Sequence, residues 1–100
     1  MAMRHVVAWK LTTDDAIVKA EQSRRIAGLL TALGDIIPEI QSVSAGAESL
    51  YPGKNWDVAL VATFADQAAL EAYQVHPAHQ EVGAYIKSVV SDRVAVDFAF

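Results

Sequence analysis

The sequence predicts an α+β protomer of the ferredoxin-like kind, β-α-β-β-α-β, with one four-stranded antiparallel sheet and its helices on one face. Three observations lead there. Four stretches alternate in side-chain character with period two, helical stretches with i, i+3, i+4 apolar spacing lie between them, and the order strand-helix-strand occurs twice in 100 residues. At that length, residues 1–100 are read as a single domain. Such a chain buries roughly 65% of the surface it exposes when unfolded, enough for one core. Cysteine is absent, so disulfides, thiolate metal sites and cysteine nucleophiles are excluded.

Each element has its own justification. The first strand is expected at about Met3 to Leu11, with Met3, His5, Val7, Trp9 and Leu11 on one face and Arg4, Val6, Ala8 and Lys10 on the other. Thr12-Thr13-Asp14-Asp15 starts a helix: a threonine can cap the free N–H groups, and the aspartates suit the positive end of the dipole. That helix is expected to reach Leu33, burying Ala16, Ala20, Ala27, Leu30 and Leu33 with Ile17, Ile26 and Leu29 alongside, and to stop at Gly34. Ile40 to Leu50 is poor in bulky residues and reads as a sheet edge. Tyr51 to Trp56 is a turn by its proline and glycine, and Asp57 to Ala65 is the clearest strand. Asp66 caps a short helix from Gln67 to about Gln74. His76-Pro77-Ala78-His79 interrupts it, Pro77 suits the first turn of a second piece reaching Val90, and Asp92 to Phe100 is the last strand.

Helices can cover only one face of such a sheet, yet the first, third and last strands carry apolar residues on both. The uncovered face is expected to expose several of Val7, Trp9, Leu11, Phe64, Val96 and Phe98, more than the ~300–600 Å² patch a monomer usually tolerates. A second copy packed sheet against sheet would remove it, so a homodimer is expected.

The charge balance excludes some partners. Twelve acidic and eight basic residues give a net charge of -4, with only Arg24 and Arg25 adjacent among the cations, which argues against a nucleic-acid binder. No apolar run approaches the ~18–20 residues that span a bilayer. The first ten residues lack a long apolar core and a cleavage pattern, so no signal peptide is read, no membrane partner is expected, and the location is taken as cytoplasmic by default.

Three histidines could carry chemistry. His5, on an apolar strand face, reads on its own as a hydrogen-bonded core residue. His76 and His79 are three apart and could chelate a metal on a helix, but two ligands make an incomplete site, and His76 serves equally well as the cap before Pro77. Tyr73 and His79 could form an acid–base pair in one cavity, since imidazole titrates near neutrality. On spacing alone, the simpler reading of Tyr73 is a packed ring with its hydroxyl in water. Asp14 and Asp15 read as capping, Trp56 with Asp57 as a loop anchored against a sheet end. No phosphate loop, dinucleotide fingerprint, nucleophile elbow or zinc helix motif occurs.

Five segments in order, Arg4-His5-Val6-Val7, Ile36-Ile37-Pro38, Asn55-Trp56-Asp57-Val58-Ala59-Leu60, Ala72-Tyr73-Gln74-Val75-His76-Pro77-Ala78-His79 and Asp92-Arg93-Val94-Ala95-Val96-Asp97, resemble the stress-responsive A/B barrel (Dabb) family over essentially the whole chain. The resemblance implies a ferredoxin-like protomer whose dimer forms an α+β barrel. Most bacterial members have no assigned reaction, some plant members are stress-induced, and one plant member closes a linear polyketide by aldol condensation. By that resemblance His79 would be the general base, Tyr73 would orient it or the substrate, and His5 would line the pocket. The first helix departs from that cyclase in being alanine-rich where the other is aromatic. Some members hold magnesium at the dimer interface through backbone carbonyls, and the matching positions are Gly34, Ile37 and Ile40.

The resulting expectation is a homodimer binding a small apolar carbonyl or aromatic ligand, without an organic cofactor, through His5, Tyr73 and His79, with Val7, Trp9 and His76 as further ligand contacts. The alternatives are a stress-responsive structural dimer without chemistry, and a cofactor-free monooxygenase on the same barrel.

Overall fold

The period-two stretches form four strands: β1 Met3–Leu11, β2 Ile40–Ala47, β3 Val58–Phe64 and β4 Val90–Ala99. They pair in the order β2-β3-β1-β4, each neighbour antiparallel to the next. Between them lie α1 Ala16–Ala32, followed by a 3-10 turn at Leu33–Asp35, then α2 Gln67–Val75 and α3 Pro77–Val89. This computed structural model describes residues 1–100.

Register decides which side of each strand meets the helices. Val7 lies opposite Leu60 on β3, and Trp9 opposite Val58. Residues directly opposite in a sheet share a face, and all four are buried in one core with Ile26 and Leu30 of α1, Leu70 and Tyr73 of α2, and Val82 and Ile86 of α3. β4 joins β1 with the pairs Val7–Ala95, Ala8–Val94, Val6–Val96 and Arg4–Phe98. Its apolar phase therefore faces away from the helices, and its polar phase, Arg93 and Asp97, faces toward them.

The open face carries only part of the expected set, Val96 and Phe98. Val7, Trp9, Leu11 and Phe64 are buried beneath the helices, whereas Val61, Val94, Val96, Phe98 and Phe100 are at least 40% exposed on the other side. Alternation in a strand apolar on both faces yields two sets but not their direction; only pairing supplies it. The expected apolar open face is present, with new members. Arg4 lies across it, its guanidinium carbon 4.0 Å from the centre of the Phe100 ring.

Local signals also resolve. The cap of α1 is Asp15 and not a threonine: its Oδ1 accepts N–H bonds from Ile17 and Val18, both at 2.9 Å. Ile17 and Ala16, expected in the buried face, are exposed in that first turn. The anchoring role of Asp57 is seen: its Oδ2 accepts the Leu11 N–H at 2.8 Å, where the β1–β4 register shifts, and its own N–H donates to the Trp9 carbonyl at 2.9 Å.

Gly34 is not the helix stop that was expected: α1 ends at Ala32, and Gly34 lies within the 3-10 turn that follows. No left-handed glycine cap forms there; the sole positive φ in the chain is 86° at Gly53, in the β2–β3 turn. Gly34 instead permits close approach of β2, since a Cβ at that position would stand 2.8 Å from Val43 Cγ1. Gly34→Ala should therefore destabilise the fold by about 1–3 kcal/mol through overpacking. The check is a lowered denaturant midpoint at unchanged m-value, partly restored when Val43→Ala is added.

Candidate functional site

α1 packs across β2 and β3, so the other half of the sheet is left to α2, α3 and a gap. In that gap lies a cavity of about 380 Å³. Its strand side is Val7, Trp9 and Leu60, its helix side Tyr73, His79 and Val82, and Lys87 and Arg93 also border it. Of the expected site residues, the fold brings together His5, Tyr73, His79, Val7 and Trp9 in this one lining.

His5 is buried on β1, directly opposite Asp97 of β4. A carboxylate can only accept, so His5 Nδ1 donates to Asp97 Oδ1 and Nε2 is left as the free ring nitrogen. Tyr73, on the inner face of α2, is 2% exposed and packs between Phe64, 5.0 Å between ring centres, and His79, at 4.4 Å. The expectation of a hydroxyl in open water fails, because the α2 face that carries Tyr73 turns onto β1 and β3. Burial pushes the Tyr73 pKa up to about 12, against a smaller downward pull from the positive charge of Arg93. The phenol is a neutral donor throughout the ordinary pH range.

His79 owes its orientation to the break between α2 and α3. In an unbroken helix the Gln74 carbonyl would accept the Ala78 N–H. Pro77 has no N–H to extend the ladder, and the Ala78 N–H is taken by His76 Nδ1 at 3.1 Å, a side-chain cap. The Gln74 carbonyl is thereby free to accept His79 Nδ1, also at 3.1 Å. Since a carbonyl cannot donate, the proton lies on Nδ1 and the basic lone pair of neutral His79 on Nε2. Burial lowers the His79 pKa below its ordinary 6.5; the Gln74 bond raises it, and positive charge on His5, Arg93 and His76 lowers it further, the net shift being downward.

His76, offered as a ligand contact, is the cap residue of α3 and lies outside the cavity lining. It does not share a helix side with His79, because its own backbone is extended (φ -63°, ψ 134°). No group of three or more His, Cys, Asp or Glu side chains is placed to hold a metal. Gly34, Ile37 and Ile40 lie along the passage from the 3-10 turn into β2, where the Ile37 carbonyl already accepts the Ile40 N–H at 3.2 Å. Their oxygens have the donor chemistry of a hard-cation site.

Sequence reasoning missed Asp97, Gln74, Lys87 and Arg93 as site residues. The signal for Arg93 and Asp97 lies in β4: once Val94, Val96 and Phe98 are assigned to the open face, the alternate residues must face the helices. Gln74 acts through its main chain, and no side-chain pattern reports that. A larger cleft of about 610 Å³ lies between the start of α1 and the β2–β3 turn. It holds no histidine or tyrosine, and its buried carboxylate, Asp57, is already engaged by the Leu11 N–H and by Lys19, 3.8 Å away.

A family model described as Stress Responsive A/B Barrel Domain matches residues 3–100. A dimeric ferredoxin-like protein of unknown function from Thermobifida fusca is 31% identical, with a TM-score of 0.83 over 100% of this chain and 92% of that one. A dimeric protein of unknown function and ferredoxin-like fold from Bacteroides fragilis is 26% identical, with a TM-score of 0.89 over 99% and 96%. A hydroxynitrile lyase from Passiflora edulis shares the fold at 19% identity and a TM-score of 0.74, over 97% and 91%. No curated protein matches.

The lowered pKa of His79 links stability to pH. The folded chain holds the neutral ring better than the unfolded chain does, so this stabilisation is complete above about pH 6.5 and is lost as pH falls through the lower folded value. Melting temperature should fall on acidification through that window, and His79→Gln should flatten that part of the profile.

Proposed function

The chain belongs to the stress-responsive A/B barrel family, and on that premise we propose that it is a homodimer whose protomers bind a small apolar carbonyl or aromatic compound between the sheet and α2–α3, with His79 as general base. The observation that supports this best is the pairing, over one apolar floor, of a histidine with its basic lone pair on Nε2 and a tyrosine whose hydroxyl stays protonated. In such a step His79 Nε2 takes a proton from the carbon beside the carbonyl. The C–H electron pair moves into an enolate, and the Tyr73 hydroxyl donates to the oxygen where negative charge collects. His5, held by Asp97, lines the pocket from the opposite side. Family members of known and unknown reaction share this fold, so the assignment rests on the site and not on the architecture.

Exchange of the acidic C–H of a simple β-diketone for deuterium, followed by NMR, tests the base. We expect exchange above the buffer rate, reduced roughly 100-fold or more in His79→Gln and reduced less in Tyr73→Phe. Equal exchange by wild type and His79→Gln overturns the catalytic assignment. Exchange no faster than buffer, in a chain that still pairs, favours the structural dimer without chemistry.

Pairing is supported by the apolar open face and by the dimeric solved relatives. Its test is light scattering and thermal unfolding: a dimer mass, with a melting temperature that rises with protein concentration, and a monomer mass for Val96→Asp combined with Phe98→Asp. A magnesium ion on the carbonyls of Gly34, Ile37 and Ile40 belongs to the same proposal, as a brace at the interface. A chelator should then lower the melting temperature, and added magnesium should restore it.

A further inference from the structure

The cavity has a charge character that its apolar floor does not explain. The chain carries more acidic than basic residues, yet no carboxylate lines this cavity, and its two fixed charges, Lys87 and Arg93, are both positive. Neither is neutralised within the chain. The ion pairs join His5 to Asp97 and Lys19 to Asp57, and leave Lys87 and Arg93 without a carboxylate. The acidic residue on the same face of β4, Asp97, is committed to His5. Four of the other cations, Arg4, Lys10, Arg25 and Lys54, lie over aromatic rings, whereas Arg93 and Lys87 have no such stack.

Arg93 is an exposed side chain whose strand position places it at the cavity. Its backbone pairs opposite Trp9, whose indole forms part of the apolar floor, so the guanidinium rises from the strand that walls the cavity. Its charge is felt at both Tyr73 and His79. An arginine presents a planar fork of donors matched to the two oxygens of a carboxylate, and Lys87 on α3 adds a point charge from the helix side.

From this placement we propose that the ligand of the cavity is an anion, an aryl- or alkyl-carboxylate whose apolar body lies on Val7, Trp9 and Leu60 and whose carboxylate is held by Arg93 with help from Lys87. The proposal rests on reading the cavity as a ligand site and narrows the ligand class. A neutral carbonyl compound would satisfy the floor and leave both cations, exposed at the cavity edge, to water alone. A carboxylate satisfies both, and leaves the body of the ligand, with any further carbonyl it carries, to His79 and Tyr73.

Phenylacetate and phenylacetamide, equal in shape and different in charge, separate these cases. With the full chain near neutral pH, titration followed by NMR should show phenylacetate binding roughly tenfold or more tightly than the amide, with a preference that falls as salt is added. Arg93→Gln should cut the ratio of the two affinities most of the way toward one, and Lys87→Gln should lower it by a smaller step. Equal binding of acid and amide by the wild type overturns the anion assignment but keeps the cavity as a ligand site. A ratio unchanged in Arg93→Gln overturns the role of that residue. Binding of neither probe overturns the ligand-site reading and the anion assignment with it.

Discussion

The pairing of β4 with β1 is the constraint from which the rest follows. It sets Val94 and Val96 beside Ala8 and Val6, on the side away from the helices, and it sets Asp97 beside His5 on the inner side. A strand that buried its apolar phase under the helices would have closed the core and left no gap. Here β4 does the reverse. The same register leaves an apolar surface in need of cover, delivers a guanidinium to the wall of the cavity, and sets a carboxylate against the histidine that lines it. The apolar face open to a partner and the candidate site are thus two consequences of one strand's phase.

Within the cavity, burial acts on two groups in a complementary way. Desolvation always favours the uncharged form, and for a phenol that is the protonated one while for an imidazole it is the deprotonated one. Tyr73, fully buried, is held as a donor, and His79, partly buried, is biased toward an acceptor by the same effect. No metal ion or neighbouring carboxylate is required to set these states. The carboxylate that is present, Asp97, is bound to the other histidine and orients it.

Much of this was legible in the residues. Val58, Leu60, Ala62 and Phe64 alternate so cleanly that β3 could be drawn from the sequence, and Pro77 marks the break between α2 and α3 without ambiguity. The direction of the faces was not legible, because β1 is apolar on both. Met3-His5-Val7-Trp9-Leu11 and Val6-Ala8 are both credible inner sets until a partner strand chooses. The environment of Tyr73 was hidden for a related reason: a tyrosine at a helical spacing serves a wet surface or a dry core equally well, and the packing of α2 onto β1 is a long-range fact. Family resemblance pointed to His5, Tyr73 and His79 together, and the fold does gather them; spacing left His76 open between a ligand contact and a helix cap, and the fold uses its ring as the cap.

The two cavity histidines are aimed by different kinds of partner. His5 depends on the side chain of Asp97, so a single codon change can cut its ring loose. His79 depends on a main-chain oxygen at Gln74, which every amino acid possesses. Evolutionary drift at position 74 leaves that oxygen untouched, and only remaking the backbone seam around Pro77 would withdraw it. One imidazole is therefore exposed to mutation through its partner, while the aim of the other is written into the path of the chain.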